Sequence, residues 1–240
     1  MRATTGVIAA AAAVVLMAGC GDSDSADSAD ATSAGPGAAT AADAQATVPA
    51  KDLVLTKADL PAGYQVMPIP QSQVQQAADN LVNSMHGGSV EPAKCAPPKA
   101  IPDHFDVSKI GMLVAASGSS TLTESVMPGS NDLGDMREAM TGDCAKVSAT
   151  MAAGEAAGVS TTIEYAPLEV PDLKADDVFA VKQTSTSTVN GQKVNATSFS
   201  AWAVVNGYSV AVSSGGALGT PDADAFESIL TKAVDKVAAA

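Results

Sequence analysis

Residues 178–214 read VFAVKQTSTSTVNGQKVNATSFSAWAVVNGYSVAVSS and contain two Asn-Gly pairs, at 190–191 and 206–207. Each pair stands between runs that are rich in Val, Thr, Ser and aromatic residues. Asn-Gly is a strong hairpin signal because both residues tolerate the positive φ angles of a two-residue turn. The stretch is therefore predicted to form a three-stranded antiparallel meander.

Further strands and three helices are predicted around this meander. Residues 110–116 and 121–127 have the pattern of a second hairpin, and residues 159–165 that of a single strand. Apolar residues recur at helical spacing over 71–86, over 132–152 and after Thr220-Pro221 near the C-terminus. The sequence thus predicts an α+β fold, in which about three helices pack on an antiparallel sheet.

The N-terminal residues 1–19 have the layout of a lipoprotein signal peptide. Met1-Arg2 supplies a positive charge, and the apolar run that follows, about twelve residues long, is too short to span a membrane. It ends in Leu16-Met17-Ala18-Gly19-Cys20, which resembles the lipobox of bacterial lipoproteins. Cys20 is therefore predicted to become the lipidated first residue, with palmitate among its acyl groups. This places the protein outside the cytoplasm, anchored to the outer face of the cell membrane.

A tether and one folded domain are predicted after the signal peptide. Residues 20–50 consist of the lipidated cysteine and an Ala-, Ser- and Asp-rich segment without aromatic residues, which cannot bury enough surface to fold. A flexible coil of this length reaches roughly 30 Å on average. Residues 51–240 are predicted to form a single globular α+β domain.

The charge of the chain excludes one class of partner. The formal net charge is -13, and residues 51–240 alone carry 12 basic and 21 acidic residues. Such an excess of negative charge repels a phosphate backbone, so we expect no nucleic-acid partner.

Cys95 and Cys144 are the only cysteines besides Cys20. Because disulfides persist in exported proteins, we expect these two residues to be bridged. Two free thiols, or a thiol that is activated by His104, remain the alternative. The bridge is favoured because Cys144 belongs to the apolar stripe of the predicted helix 132–152, where a thiolate would be desolvated.

Few other residues point to chemistry. His86 ends a predicted helix, and its favourable interaction with the helix dipole accounts for its presence there. His104 lies in a loop, and its role stays open. Asp172, Asp176 and Asp177 cluster after Pro171, but acids in a polar connection are usually solvated. No catalytic, phosphate-binding or metal-binding motif is present. We therefore predict no enzymatic activity, no cofactor and no metal.

The chain contains eight aromatic residues, among them a single tryptophan, Trp202. Trp202 lies in the middle of a predicted strand, which favours sheet packing over a ligand platform. The small number of aromatic residues also argues weakly against a carbohydrate-binding surface.

The lipobox, the tether, the sequence LTKADLPAGY at 55–64 and Gly142-Asp143-Cys144 together resemble actinobacterial cell-envelope lipoproteins. The resemblance is to those similar to the extracellular sensor domain of the mycobacterial kinase PknH. It implies a sheet with flanking helices, a cleft for an unknown ligand and no established enzymatic activity. Members commonly carry two disulfides, whereas only Cys95 and Cys144 are available here.

The sequence therefore predicts a membrane-anchored lipoprotein whose non-enzymatic domain binds a ligand or senses one. A small molecule or another envelope protein is the expected partner, in a cleft between the sheet and the helix 132–152. The alternatives are a lipid or glycolipid carrier with an apolar cavity and a secreted hydrolase.

Overall fold

The computed structural model describes residues 47–87, 89–96, 107–129, 132–150, 159–189, 192–216 and 220–240. Cys20, His104, the predicted signal peptide and most of the predicted tether lie outside these ranges. Within them, the chain forms one antiparallel sheet of nine strands together with four α-helices.

The strands are numbered along the chain as β1 (Gln65–Val66), β2 (Ser89–Glu91), β3 (Gly111–Ser117), β4 (Ser120–Pro128), β5 (Lys146–Thr150), β6 (Ser160–Pro167), β7 (Asp177–Val189), β8 (Gln192–Val205) and β9 (Tyr208–Gly216). Across the sheet, their order is β1-β3-β4-β9-β8-β7-β6-β5-β2. The helices are α1 (Ala50–Leu53), α2 (Gln71–Gly87), α3 (Leu133–Ala139) and α4 (Ala223–Ala238).

The predicted meander is confirmed and forms the centre of the sheet. Strands β7, β8 and β9 pair in sequence, and Val205 lies opposite Tyr208 across the second turn. Asn206 and Gly207 in that turn have φ angles of 49° and 78°. These are the positive values that a two-residue hairpin turn needs. Asn190-Gly191 lies outside the described residues.

Four further predicted elements are confirmed. The hairpin is formed by β3 and β4, and the strand predicted over 159–165 is β6. The first predicted helix is α2 and the last is α4. Asp222 caps α4, because its Oδ1 accepts a hydrogen bond from the backbone nitrogen of Ala225 at 3.1 Å.

The predicted helix over 132–152 is wrong after residue 139. α3 begins behind Asp132, whose Oδ1 accepts a hydrogen bond from Gly134 N at 2.7 Å, and it ends at Ala139. Gly142 has a φ of 57°, which is incompatible with a right-handed helix. Lys146–Thr150 forms β5, which pairs with β6 and β2. Two neighbouring strands thus supply partners that outweigh the helical spacing of the apolar residues.

The prediction of a fold with about three helices packed on a sheet is also wrong. The sheet dominates the described residues, and two of the four helices are short, since α1 has four residues and α3 has seven. The edge strands β1 and β2 were not predicted. Strands of two or three residues contain too little periodicity to be recognised from sequence.

One side of the sheet, which we call the apolar face, contains the main hydrophobic core. Side chains alternate between the two faces of a strand, so that Leu122, Val126 and their neighbours in β8 and β9 point to this side. They pack against α1 and α4. From α4, Phe226 meets Phe199 with 5.6 Å between ring centroids.

Val48 and Ala50, which we assigned to the tether, pack with the domain. The hydroxyl of Tyr208 donates to the carbonyl oxygen of Val48 at 2.7 Å and accepts from its nitrogen at 2.8 Å. Ala50 belongs to the main core. The backbone of α1 passes so close to β3 that a Cβ at Gly111 would lie 2.2 Å from the carbonyl oxygen of Ala50. This close approach of two backbones requires glycine at position 111.

The variant Gly111→Ala is expected to lower the free energy of unfolding by about 1 to 3 kcal/mol, because α1 must move away from β3. Thermal unfolding followed by circular dichroism measures the effect. Gly215→Ala is the matched control, since its Cβ would meet nothing closer than 3.7 Å. Equal melting temperatures for the two variants would contradict the close approach.

The connection that contains α2 links the two edges of the sheet. β1 lies at one edge and β2 at the other, which is about 38 Å away at the usual spacing of strands. α2 has 17 residues and is therefore about 25 Å long. No described side chain of α2 belongs to the main hydrophobic core or to the smaller cluster that α3 forms on the other side of the sheet.

Candidate functional site

The second side of the sheet carries hydroxyl groups where the apolar face carries aliphatic ones. Register places Thr123, Ser213 and Ser200 side by side on β4, β9 and β8. A neighbouring row contains Thr121, Gly215 and Ser198, and a third contains Ser125, Ala211 and Trp202. We call this side the hydroxyl face.

Small residues at the centre of the hydroxyl face are flanked by larger ones. The row of Ser125 and Ala211 ends at Met112 on β3 and at Trp202 on β8. Three strand spacings separate β3 from β8, which corresponds to about 14 Å. The result is a shallow trough, which we call the hydroxyl trough. Its floor consists of the partly exposed residues Thr121, Thr123, Ser198, Ser200, Ala211, Ser213 and Gly215, whereas Ser125 is only 3% exposed.

An aromatic cluster borders the trough. The rings of Trp202 and Phe179 are stacked, with 6.1 Å between centroids and 18° between planes. The guanidinium of Arg137 lies 5.3 Å from the centroid of the Phe179 ring and binds Asp177 Oδ1 at 3.0 Å. α3 packs on this cluster. On its other side, Trp202 has only the methyl group of Ala211 beside it on β9. One side of the half-buried indole therefore borders the trough.

Most hydroxyls of the trough have no partner among the described residues, although Thr121 Oγ1 donates to the carbonyl oxygen of Gly215 at 3.3 Å. No hydrogen bond joins the side-chain hydroxyls of Thr123, Ser198, Ser200 or Ser213 to another residue in the described ranges. Gln183 lies next to Ser198 on β7 and is 9% exposed; its amide has no partner in the described ranges and remains accessible to water. The trough thus offers several donors and acceptors to a ligand.

The trough is also uncharged. On the hydroxyl face of β3, β4, β9, β8 and β7, Asp177 is the only charged residue in the described ranges, and Arg137 neutralises it. Charged residues of these strands, such as Glu124 and Lys182, stand on the opposite side.

Glu124 is a second unusual group, but it lies in the core behind the apolar face. It is 1% exposed, and its Oε2 accepts a hydrogen bond from Leu55 N at 2.8 Å. Its Oε1 has no partner. Burial raises the pKa of Glu124 to about 7, although the hydrogen bond from Leu55 and the charge of Lys236 both lower it. Lys236 in turn donates to the carbonyl oxygen of Val54. Glu124 therefore holds the segment around Leu55 against β4.

The predicted disulfide is present. The Sγ atoms of Cys95 and Cys144 are 2.01 Å apart, with 5.5 Å between the Cα atoms. The bridge joins the segment after β2 to the segment before β5, and Lys94 Nζ reaches Asp143 Oδ2 at 2.5 Å beside it. The hydrogen bond and charge of Lys94 hold the pKa of Asp143 below its usual value.

The other candidate residues do not converge on one site. Asp172 and Asp176 are exposed, and Asp177 is bound to Arg137. In the described ranges, no three His, Cys, Asp or Glu residues could hold a metal ion. The side chain of His86 and all of His104 lie outside the described residues. The helix 132–152, which was expected to frame a cleft, is replaced by α3 and β5.

A separate surface groove of about 360 Å³ runs along α4. The residues that line it are Pro171, Asp224, Glu227, Ser228, Thr231 and Lys232.

Neither Glu124 nor the trough is predicted from the sequence. The signal for Glu124 was present, because the acid takes the place of an aliphatic residue between Leu122 and Val126 in an alternating strand. The trough has no comparable signal. Serine and threonine on one face of a strand usually indicate contact with solvent.

Fold and site together define an antiparallel-sheet domain with an uncharged, hydroxyl-lined trough. No known family model matches the chain, and no curated protein matches it. It is similar in structure to an uncharacterised protein from Mycobacterium smegmatis, the Rv0999 ortholog. That similarity has a TM-score of 0.44 at 16% identity and covers 76% of this chain and 93% of the other. Among the described helices, none has the length and apolar character needed to cross a bilayer.

Proposed function

We propose that the domain is a non-enzymatic ligand-binding module of the cell envelope and that its ligand occupies the hydroxyl trough. The observation that supports this proposal is the set of unpartnered hydroxyls and the Gln183 amide beside a half-buried tryptophan. These groups are accessible and can donate hydrogen bonds to a ligand and accept them from it.

The composition of the trough argues against hydrolysis. A serine hydroxyl becomes a useful nucleophile only next to a general base. The floor contains no histidine, carboxylate or amine. A binding role uses the same hydroxyls as donors and acceptors and needs no base.

The proposal includes a lipid anchor on Cys20, which the sequence predicts. The full chain made in its own host is expected to partition with membranes, whereas Cys20→Ala should be released or should remain as an uncut precursor. Intact-mass analysis of the mature protein measures the acyl groups directly. Cleavage elsewhere without acylation would contradict the anchor.

Native mass spectrometry of the protein purified from its host tests the binding role. We expect a bound small molecule, or an envelope protein in a parallel pull-down, and we expect the larger variant Ser213→Leu to reduce its occupancy. Thr197→Leu is the control, because Thr197 lies on the opposite side of β8. A bare protein without any partner contradicts the binding role. Co-purified lipid that is insensitive to Ser213→Leu supports the alternative of a lipid carrier.

A further inference from the structure

We infer that the hydroxyl trough binds a neutral, polyhydroxylated ligand, namely a carbohydrate chain. This inference rests on the proposed function of the trough as a binding site and names the class of its ligand. Charge, hydrogen bonding and the position of the aromatic rings each support it.

Charge excludes ionic ligands. The floor has no charged side chain, although residues 51–240 as a whole have nine more acidic than basic residues. A ligand with phosphate or carboxylate groups would find no cation on the floor and would be repelled by the domain. A cationic ligand would find no carboxylate there to replace its lost hydration. A neutral ligand avoids both costs.

Hydrogen bonding excludes an acyl chain. The hydroxyls of Thr123, Ser198, Ser200 and Ser213 would be covered by methylene groups and left without partners, which is unfavourable. Sugar hydroxyls both donate and accept, as the Ser and Thr hydroxyls of the floor do. The Gln183 amide at the margin of the floor adds donors and an acceptor.

The aromatic rings are placed for stacking. Phe179, Trp202 and Tyr165 account for three of the eight aromatic residues and meet on this side of the sheet. Trp202 packs against Phe179 and against the cluster that α3 forms, and its neighbour on β9 is the small Ala211. The side of the indole toward β9 is the one against which a flat sugar ring would lie. The small number of aromatic residues argues weakly against a carbohydrate surface, but three of the eight lie together on this side of the sheet.

The single tryptophan gives a direct readout, because Trp202 is the only tryptophan of the chain. The full-length lipoprotein is kept in a polyoxyethylene detergent, whose headgroup contains no sugar. It is titrated with maltohexaose, cellohexaose, chitohexaose and mannohexaose, and tryptophan emission is recorded. Hexagalacturonate serves as the charged comparison and palmitate as the apolar one. We expect a saturable change with at least one neutral hexasaccharide, with a Kd below about 1 mM.

The double variant Ser200→Ala/Ser213→Ala is expected to weaken that binding about tenfold, because each neutral hydrogen bond contributes about 0.5–1.5 kcal/mol. Thr197→Ala removes a hydroxyl from the opposite side of β8 and should leave the Kd unchanged. Circular dichroism checks that both variants fold. If the double variant unfolds, Ser200→Thr, which keeps the hydroxyl, is compared with Ser200→Val.

Two results would overturn the inference. One is the absence of saturable binding for all four neutral hexasaccharides. The other is tighter binding of palmitate or hexagalacturonate that the serine substitutions do not affect. In either case the proposed binding role survives if native mass spectrometry still finds a ligand that Ser213→Leu displaces, so the two failures can be told apart.

Discussion

Raising the pH from 5 to 8 is expected to lower the free energy of unfolding by about 2 to 3 kcal/mol through Glu124 alone. The pKa of this carboxyl is about 7 in the folded protein, against 4.5 for an ordinary glutamate. The folded state therefore holds its proton more tightly than the unfolded state does. The stability from this group is fully present below pH 4.5 and is lost as the pH rises through 7. Urea unfolding at a series of pH values measures it.

Glu124→Gln separates this effect from all other titrating groups. The side-chain amide oxygen can still accept the hydrogen bond from Leu55, but the group no longer ionises. We expect the variant to match the wild type near pH 4 and to be more stable by about 3 kcal/mol at pH 8. Glu138→Gln, which removes an exposed carboxylate from α3, controls for the change in net charge. A variant that follows the wild-type pH curve throughout would contradict the assignment.

Loss of the Cys95–Cys144 bridge is expected to cost about 4 kcal/mol, because the bridge closes a loop of about 50 residues in the unfolded chain. For a domain of this size, that loss lowers the melting temperature by roughly 10 °C. The double variant Cys95→Ser/Cys144→Ser, or reduction of the wild type, should show it in a thermal scan.

The double variant also provides the control for reduction. A reducing agent should lower the melting temperature of the wild type and have no effect on the variant. Alkylation of the native protein should find neither Cys95 nor Cys144 reactive before reduction. Two reactive thiols in the native oxidised protein would show that the bridge does not form.

Glu124 and the Cys95–Cys144 bridge stabilise different parts of the sheet. Glu124 holds the segment around Leu55 against β4. The disulfide joins the segment after the edge strand β2 to the segment before β5. Because the sites share no residues, we expect their effects on stability to add. Measuring both in one chain tests this.

Elements with strong local signals could be predicted from the sequence. Two Asn-Gly pairs between β-forming runs specified the meander, and Asn206-Gly207 indeed adopts the required turn. α4 has an apolar stripe together with its own cap at Asp222. The disulfide followed from the number of cysteines and the predicted export. In each case the information lies within a few residues or in the composition.

Sequence by itself determined the meander, the terminal helix and the cysteine pair, because each depends on local conformational preference or on residue supply. The lipid anchor on Cys20 stays a prediction. Only the tertiary structure decided the change from helix to strand after Ala139, since β2 and β6 provide the hydrogen-bond partners of β5. Only register brought Thr123, Ser213 and Ser200 together, from strands that are distant in the chain. The pKa of Glu124 is raised because the fold buries this carboxyl and removes it from water. Burial of this kind depends on which surfaces meet, and no local pattern specifies that.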